Sequence, residues 1–507
     1  MPDRLPEFAP NLPAIGGSGK SRSLDPEDWD EFRALAHAML NRAIDHLEDV
    51  RERPVWQAVP QPVKAAMTEP IPMEPQGAAS VCRDLADWIL PYSTGNTHPR
   101  FFGWVHGTGT PGGIIAEMMA AAVNANCGGR DHAAVYIERQ VVDWFRTLFR
   151  FPAAASGLVV SGTSMATLIA LTVARNKAAG ADIRRTGLAG TEQRLVAYAS
   201  AEAHGSVDKA MEILGLGRDA LRCIPADPDG RMDVAALRSA IAGDRNRGMM
   251  PFAVIATAGT VNIGAVDPLP EIADLCAQEE VWLHVDGAFG ALAVLSDTDR
   301  QKVAGIERAD SLAFDFHKWL HVPYDAGMVL IRDGALHQAA FGAKQDYLAP
   351  ARHGLAAGEP WFCEFGPELS RGFSALKVWF TMKEHGMTRL GEAIAMNCRQ
   401  AERLADMIGE HHHLEIMAPV ALNIVCFRYL ETALEATALD RLNERIVIAL
   451  HEQGIAAPST TRLGGRLAIR VNITNHRTGY GDLKILLDAV LDIGANIVAG
   501  ESTESVS

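Results

Sequence analysis

The sequence predicts an α/β fold around a mostly parallel sheet of seven strands. Two observations carry that expectation. Between Gly157 and Ile331, short apolar runs at residues 158–160, 195–198, 221–224, 252–257, 281–285, 311–314 and 328–331 read as strands, and most intervals between them can hold a helix. Two of these runs also end in chemistry, 281–285 at Asp286 and 311–314 at Asp315, which is followed by Phe316, His317 and Lys318. The ligand site of such a sheet lies at the carboxyl ends of its strands, so a carboxylate and a lysine are expected to face one crevice.

Around this sheet the chain reads in order. Residues 1–23, rich in Pro, Gly and Ser, form a lead-in with little order. Asp25 and Pro26 offer an N-cap and first-turn proline to a helix whose Trp29, Phe32, Ala36, Met39, Ala43 and Leu47 recur near helical spacing. That helix has no core of its own and must pack on another part of the chain or on a second subunit. An extended, proline-punctuated stretch (53–75) follows, then an aromatic, glycine-rich loop (98–113) with Phe101, Trp104 and His106, which by itself reads as a connector. Ile137, Val141, Trp144 and Leu148 mark a helix that stops before Pro152. Beyond the sheet, residues 347–365 carry Pro350, Gly354, Gly358 and Pro360 and read as a mobile loop. A helix over 368–384 comes next, and then a small α+β domain with strands at 422–427 and 466–471 and helices at 439–452 and 482–491. The expected divisions are an N-terminal helical and extended segment (1–110), a large domain (111–390) and a small C-terminal domain (391–507).

Composition narrows the function. With 507 residues, 48% hydrophobic and 21% charged, the chain can bury a large core. A net charge of −15 argues against binding nucleic acid and favours small-molecule chemistry. The seven cysteines are odd in number and scattered without C-x-x-C spacing, which argues against a disulfide framework or a zinc site, so no metal is expected and a reducing cytoplasm is. The N-terminus lacks the apolar core of a signal peptide, and the longest apolar run, 114–123, is interrupted by Glu117, so no membrane association is expected.

The chemistry-bearing residues cluster at the predicted strand ends. Ser161, Gly162, Thr163 and Ser164 precede a helix, where hydroxyls and free amides make an anion cradle. His204 follows another strand and could stack on a planar ligand. Thr257, Gly259 and Thr260 open a strand-end loop that runs on through Asn262. Taken singly these are a helix cap, a structural histidine, a turn and, for Asp286 with Lys318, an ion pair. Together they supply a phosphate cradle, a ring stacker, a partner for a pyridinium nitrogen and a lysine able to form a Schiff base, the set that pyridoxal 5'-phosphate (PLP) requires.

The strings SGTSMAT (161–167), AEAHGSVDKA (201–210), HVDGAFG (284–290) and DFHKWL (315–320) resemble the group II PLP-dependent amino-acid decarboxylases, in particular the aromatic-L-amino-acid decarboxylase branch. The likeness runs from the N-terminal helix to at least Thr478. It implies PLP fold type I, a homodimer with interfacial sites and an amino-acid substrate, which is expected to be aromatic. Lys318 would hold PLP, Asp286 would pair with its ring nitrogen, and His204 would stack on the ring opposite Ala288. Gly162, Thr163, Ser164, Thr260 and His317 would complete the cofactor site, with Phe101, Trp104 and Phe362 in the substrate pocket. Asp315 stands where the animal enzymes carry asparagine near the phosphate, and its role is open. Phe362 stands where the family's decarboxylases carry the loop tyrosine that helps protonate Cα, and no tyrosine lies between Tyr347 and Tyr429. The expected reaction is decarboxylation to the amine and CO2. The alternatives are oxidative deamination to an aldehyde and a non-catalytic protein that binds a phosphorylated ligand.

Overall fold

The computed structural model describes residues 23–180, 182–190, 194–342 and 351–504. The lead-in up to residue 22 and Tyr347 therefore lie outside the described residues. Among the described residues, twelve strands form two sheets: β1 (Phe101–Phe102), β2 (Ser156–Val160), β3 (Leu195–Ser200), β4 (Leu221–Ile224), β5 (Met250–Thr257), β6 (Trp282–Asp286), β7 (Ser311–Asp315), β8 (Gly327–Ile331), β9 (Leu414–Ile416), β10 (Ile424–Tyr429), β11 (Ala457–Leu463) and β12 (Arg466–Asn472).

The seven-stranded sheet has the order β2-β8-β7-β6-β5-β3-β4, and only β8 runs against its neighbours. Its central strands are apolar on both faces because helices cover both sides. Every residue of β6, β7 and β8 is buried, as near-continuous apolar runs in parallel sheets require. Each large side chain there, such as Leu312 or Phe314, contributes about 1.5–3 kcal/mol of burial free energy. The helix Thr163–Ala179 starts three residues after β2 and packs on β7 and β8, which brings its N-terminus to the carboxyl edge of the sheet.

The second sheet, β1-β11-β12-β10-β9, encloses a separate core with Phe427, Ile446, Ile469 and Leu486. Here the chain departs from the expected divisions. Phe101–Phe102, from the N-terminal segment, adds a parallel strand to β11, so the aromatic loop is built into the small sheet. The helix expected over 368–384 starts at Ala375, and Gly386, at φ 70° and ψ 159°, separates it from a second helix that continues to Gly409 across the boundary drawn at 390.

The first helix spans Trp29–Glu48, and its cap is Asp28, which accepts from the amides of Asp30 and Glu31, rather than Asp25. None of its residues is buried, and Trp29, Phe32 and Ile44 are exposed. The loop read as mobile is docked where described: Asp131 N donates to Leu355 O, Cys363 N donates to Gly128 O, and Arg139 reaches the carbonyls of Gly358 and Pro360.

Candidate active site

Parallel pairing places Thr257 beside Asp286 and Asp286 beside Ala313, so the ends of β5, β6 and β7 lie side by side although they come from distant parts of the chain. Lys318 lies three residues beyond β7, and its Nζ is 2.8 Å from Asp315 Oδ2. The other carboxylate oxygen of Asp315 accepts the Thr163 amide at 2.7 Å, at the N-terminus of the helix Thr163–Ala179. Asp315 thus has a backbone donor and a cation as partners, and both offset its charge.

Asp286 is 3% exposed and accepts from the Ala288 amide at 3.1 Å. Burial raises its pKa, and the Lys318 charge works against that rise. His204 Nδ1 is 2.8 Å from Ser206 Oγ, which fixes the ring orientation. His317 Nδ1 accepts from the Ala326 amide at 3.1 Å, leaving Nε2 as the protonated nitrogen, and burial pushes its pKa down.

These groups line one cavity of about 590 Å³, within the range of small-molecule sites. Its wall includes Gly162, Thr163, Ser164, His204, Asp286, Ala288, His317, Lys318 and Trp104, which brings nine of the twelve expected site residues together. Three stand back from it. Thr260 is fully buried, where its hydroxyl accepts from the Ala265 amide and shapes the loop. Phe101 is held in β1 and supports the wall from behind, its ring stacked 5.6 Å from that of His106. Phe362 is buried beneath the Arg371 guanidinium, 5.3 Å from its ring centroid, on the side of the buried Arg371–Glu138 ion pair. It does not face this chain's cavity, because the docking bonds around Cys363 turn it inward.

Thr257, named in the strand-end loop, ends β5 with its hydroxyl buried and without a hydrogen-bond partner. Tyr324, which follows the Lys318 turn, and Arg470 were not anticipated. Arg470, 2% exposed, donates to the carbonyls of Trp104 (2.8 Å), Val261 and Asn262 (3.0 Å), tying both loops to the small sheet. Burial lowers its pKa to about 10. An arginine inside the apolar run 466–471 was the available signal, since a charge there must face either a partner or a site. Gly107 permits the close approach of the aromatic loop: a Cβ there would collide with the His317 carbonyl.

The residues present fit PLP. A buried carboxylate, an amine, the orphaned hydroxyls of Thr163 and Thr257 and a helix N-terminus face one space, which matches a cationic ring nitrogen, an aldehyde and a phosphate. Residues 60–430 match the family described as the pyridoxal-dependent decarboxylase conserved domain. The chain belongs to the pyridoxal-dependent decarboxylases. This decarboxylase is 36% identical over 453 residues to an aromatic-L-amino-acid decarboxylase of Bacillus atrophaeus, covering 89% of this chain and 92% of the relative. It is 33% identical to an L-2,4-diaminobutyrate decarboxylase of Rhizobium meliloti, covering 83% of each. Among solved structures it resembles Oryza sativa TDC with PLP and tryptamine, at a TM-score of 0.86 and 25% identity over 94% of this chain and all of that one. The decarboxylase is thus a PLP-dependent lyase acting on an amino acid. No helix among its described residues is long and apolar enough to cross a membrane, and no cluster among them could hold a metal ion.

Proposed function

We propose that this decarboxylase acts on an aromatic L-amino acid and releases CO2 and the corresponding amine. The observation that carries the reading is the aromatic wall of the cavity: Trp104, His106 and Tyr324 border the same space as Lys318 and Asp286. The Bacillus relative's name supports the choice, and the diaminobutyrate relative makes a basic side chain the competing possibility.

The geometry supports the following residue roles. Lys318 is the amine that holds the cofactor covalently, and its 2.8 Å contact with Asp315 Oδ2 orients it. Asp286 keeps a proton on the ring nitrogen, since a buried carboxylate with one backbone donor gains most from a cationic partner. His204 is fixed through Ser206 to lie on the ring, with Ala288 on its other face. Gly162, Thr163, Ser164 and His317 receive the phosphate. Bound PLP supplies the sink for the electron pair left at Cα when CO2 departs.

The exposed apolar face of the helix Trp29–Glu48 supports assembly as a homodimer, and seven free cysteines support a reducing, cytoplasmic setting. The oxidative alternative rests on the absence of a tyrosine between Tyr347 and Tyr429, and the amine is the product we propose because the relatives named above are decarboxylases. The test is CO2 release from a panel of L-amino acids, with amine and peroxide measured together. Turnover of tyrosine or tryptophan to amine supports the reading; preference for a basic or acidic amino acid would overturn it.

A further inference from the structure

The aromatic wall is not uniformly apolar. The His106 ring stacks on Trp104 at 5.5 Å and 29°, and meets Tyr324 edge-on at 6.0 Å and 77°. Tyr324 in turn lies against His317 at 4.3 Å. Both side chains are carried on a fixed frame. The His106 carbonyl accepts from Thr474 Oγ1 at 2.8 Å and the Trp104 carbonyl from Arg470 at 2.8 Å. The Tyr324 hydroxyl can both donate and accept toward a partner in the cavity.

Their protonation states suit recognition of a neutral polar group. Burial pushes the Tyr324 phenol up to about 12, so it stays protonated, and burial followed by the Lys318 charge lowers the pKa of His106, so its ring is neutral and offers one donor and one acceptor. Ser459, Thr460 and Thr461 of β11 add hydroxyls to the same cavity. A plain phenyl ring bound there would displace water from these groups and give nothing back, whereas a ring with a hydroxyl or N–H pairs with them.

We propose that Tyr324 and His106 determine specificity within the aromatic class by hydrogen-bonding a polar group on the substrate ring, so that a hydroxyphenyl or indole side chain is selected over phenyl. This rests on the aromatic reading above and deepens it. Neither residue is assigned a part in breaking the Cα bond.

The test uses the holoenzyme and two readouts. Calorimetry gives the affinities of tyramine and phenethylamine, and steady-state kinetics give kcat/KM for L-tyrosine, L-tryptophan and L-phenylalanine. We expect tyramine to bind, and tyrosine or tryptophan to be used, at least about tenfold better than the phenyl counterpart. Tyr324→Phe, which keeps the ring and its packing on His317, should bring the tyramine to phenethylamine ratio within about threefold. The change should be larger for tyramine than for phenethylamine, and larger in KM than in kcat of the polar substrate. His106→Phe should narrow the ratio in the same direction. Phenethylamine binding as tightly as tyramine, absence of tyramine binding, or a ratio unmoved in both variants would overturn the proposal. Selective tyramine binding without turnover of any aromatic amino acid would instead overturn the reaction reading and leave this one standing.

Discussion

Replacing Asp286 with asparagine separates what the carboxylate does for the fold from what it does for the cofactor. The side chain is 3% exposed and its one hydrogen bond within the described chain comes from the Ala288 amide. Burial raises its pKa, so holding the ionised form costs the cofactor-free protein free energy, and an amide in its place removes that cost while its oxygen still accepts from Ala288. The cofactor-free Asp286→Asn protein should therefore melt no lower than the parent. PLP binding should move the other way. A hydrogen bond between ionised partners contributes about 1.5–3 kcal/mol, and at about 1.4 kcal/mol per factor of ten its loss weakens PLP roughly 10–150-fold. Turnover at saturating PLP should fall by orders of magnitude, because asparagine cannot keep the ring nitrogen protonated. Affinity is read from quenching of protein fluorescence as PLP is titrated into cofactor-free protein, and stability from thermal unfolding. A PLP affinity within about twofold of the parent would refute the pairing. A several-degree drop in melting temperature alongside weak binding would trace the loss to misfolding instead.

Further predictions follow from other parts of the structure. Lys318→Ala should abolish turnover and the visible absorption of lysine-bound PLP while leaving the circular dichroism unchanged; retained activity would move the attachment elsewhere. Glu138→Gln leaves Arg371, 5% exposed on its side chain, without a counter-charge and should cost about 3–5 kcal/mol in urea unfolding, with a loss below about 1 kcal/mol counting against a buried pair. Acid should destabilise the protein. His284 and His337 are fully buried with pKa values pushed from 6.5 down to about 3, so their folded forms stay neutral while the unfolded chain takes up protons. Stability is full above pH 6.5 and falls toward pH 3 by about 1.4 kcal/mol per pH unit for each histidine. Asp267, raised from 3.8 to about 6, acts in the opposite sense and offsets one of them between those values. Chemical unfolding from pH 7 to 4 measures the slope, and a flat profile would contradict the burial of both rings.

The sequence by itself determined the large sheet and the placement of Asp286 and Lys318 at its carboxyl edge. All seven strands were legible because strands buried on both faces read as apolar runs, and each was found within about two residues of its ends. Asp286 and Lys318 were legible because a charge that terminates such a run is costly unless it has a task. The cradle at Gly162–Ser164 was legible from cap chemistry. Short or amphipathic elements were not: β1, β9 and β11 carry too few residues or too mixed a pattern, and β11, with Thr460 and Arg462 exposed, owes its place to pairing with β12. Tertiary structure alone decided which residues share the cavity wall. Tyr324 and Thr257 resemble ordinary turn residues until the strand ends are side by side, and Arg470 reaches Trp104 across 366 positions of sequence. The same applies to the packing of the Phe362 ring beneath Arg371. Periodicity reports which face of an element is buried, whereas contacts between distant segments depend on how those elements are stacked, and no local pattern encodes that stacking.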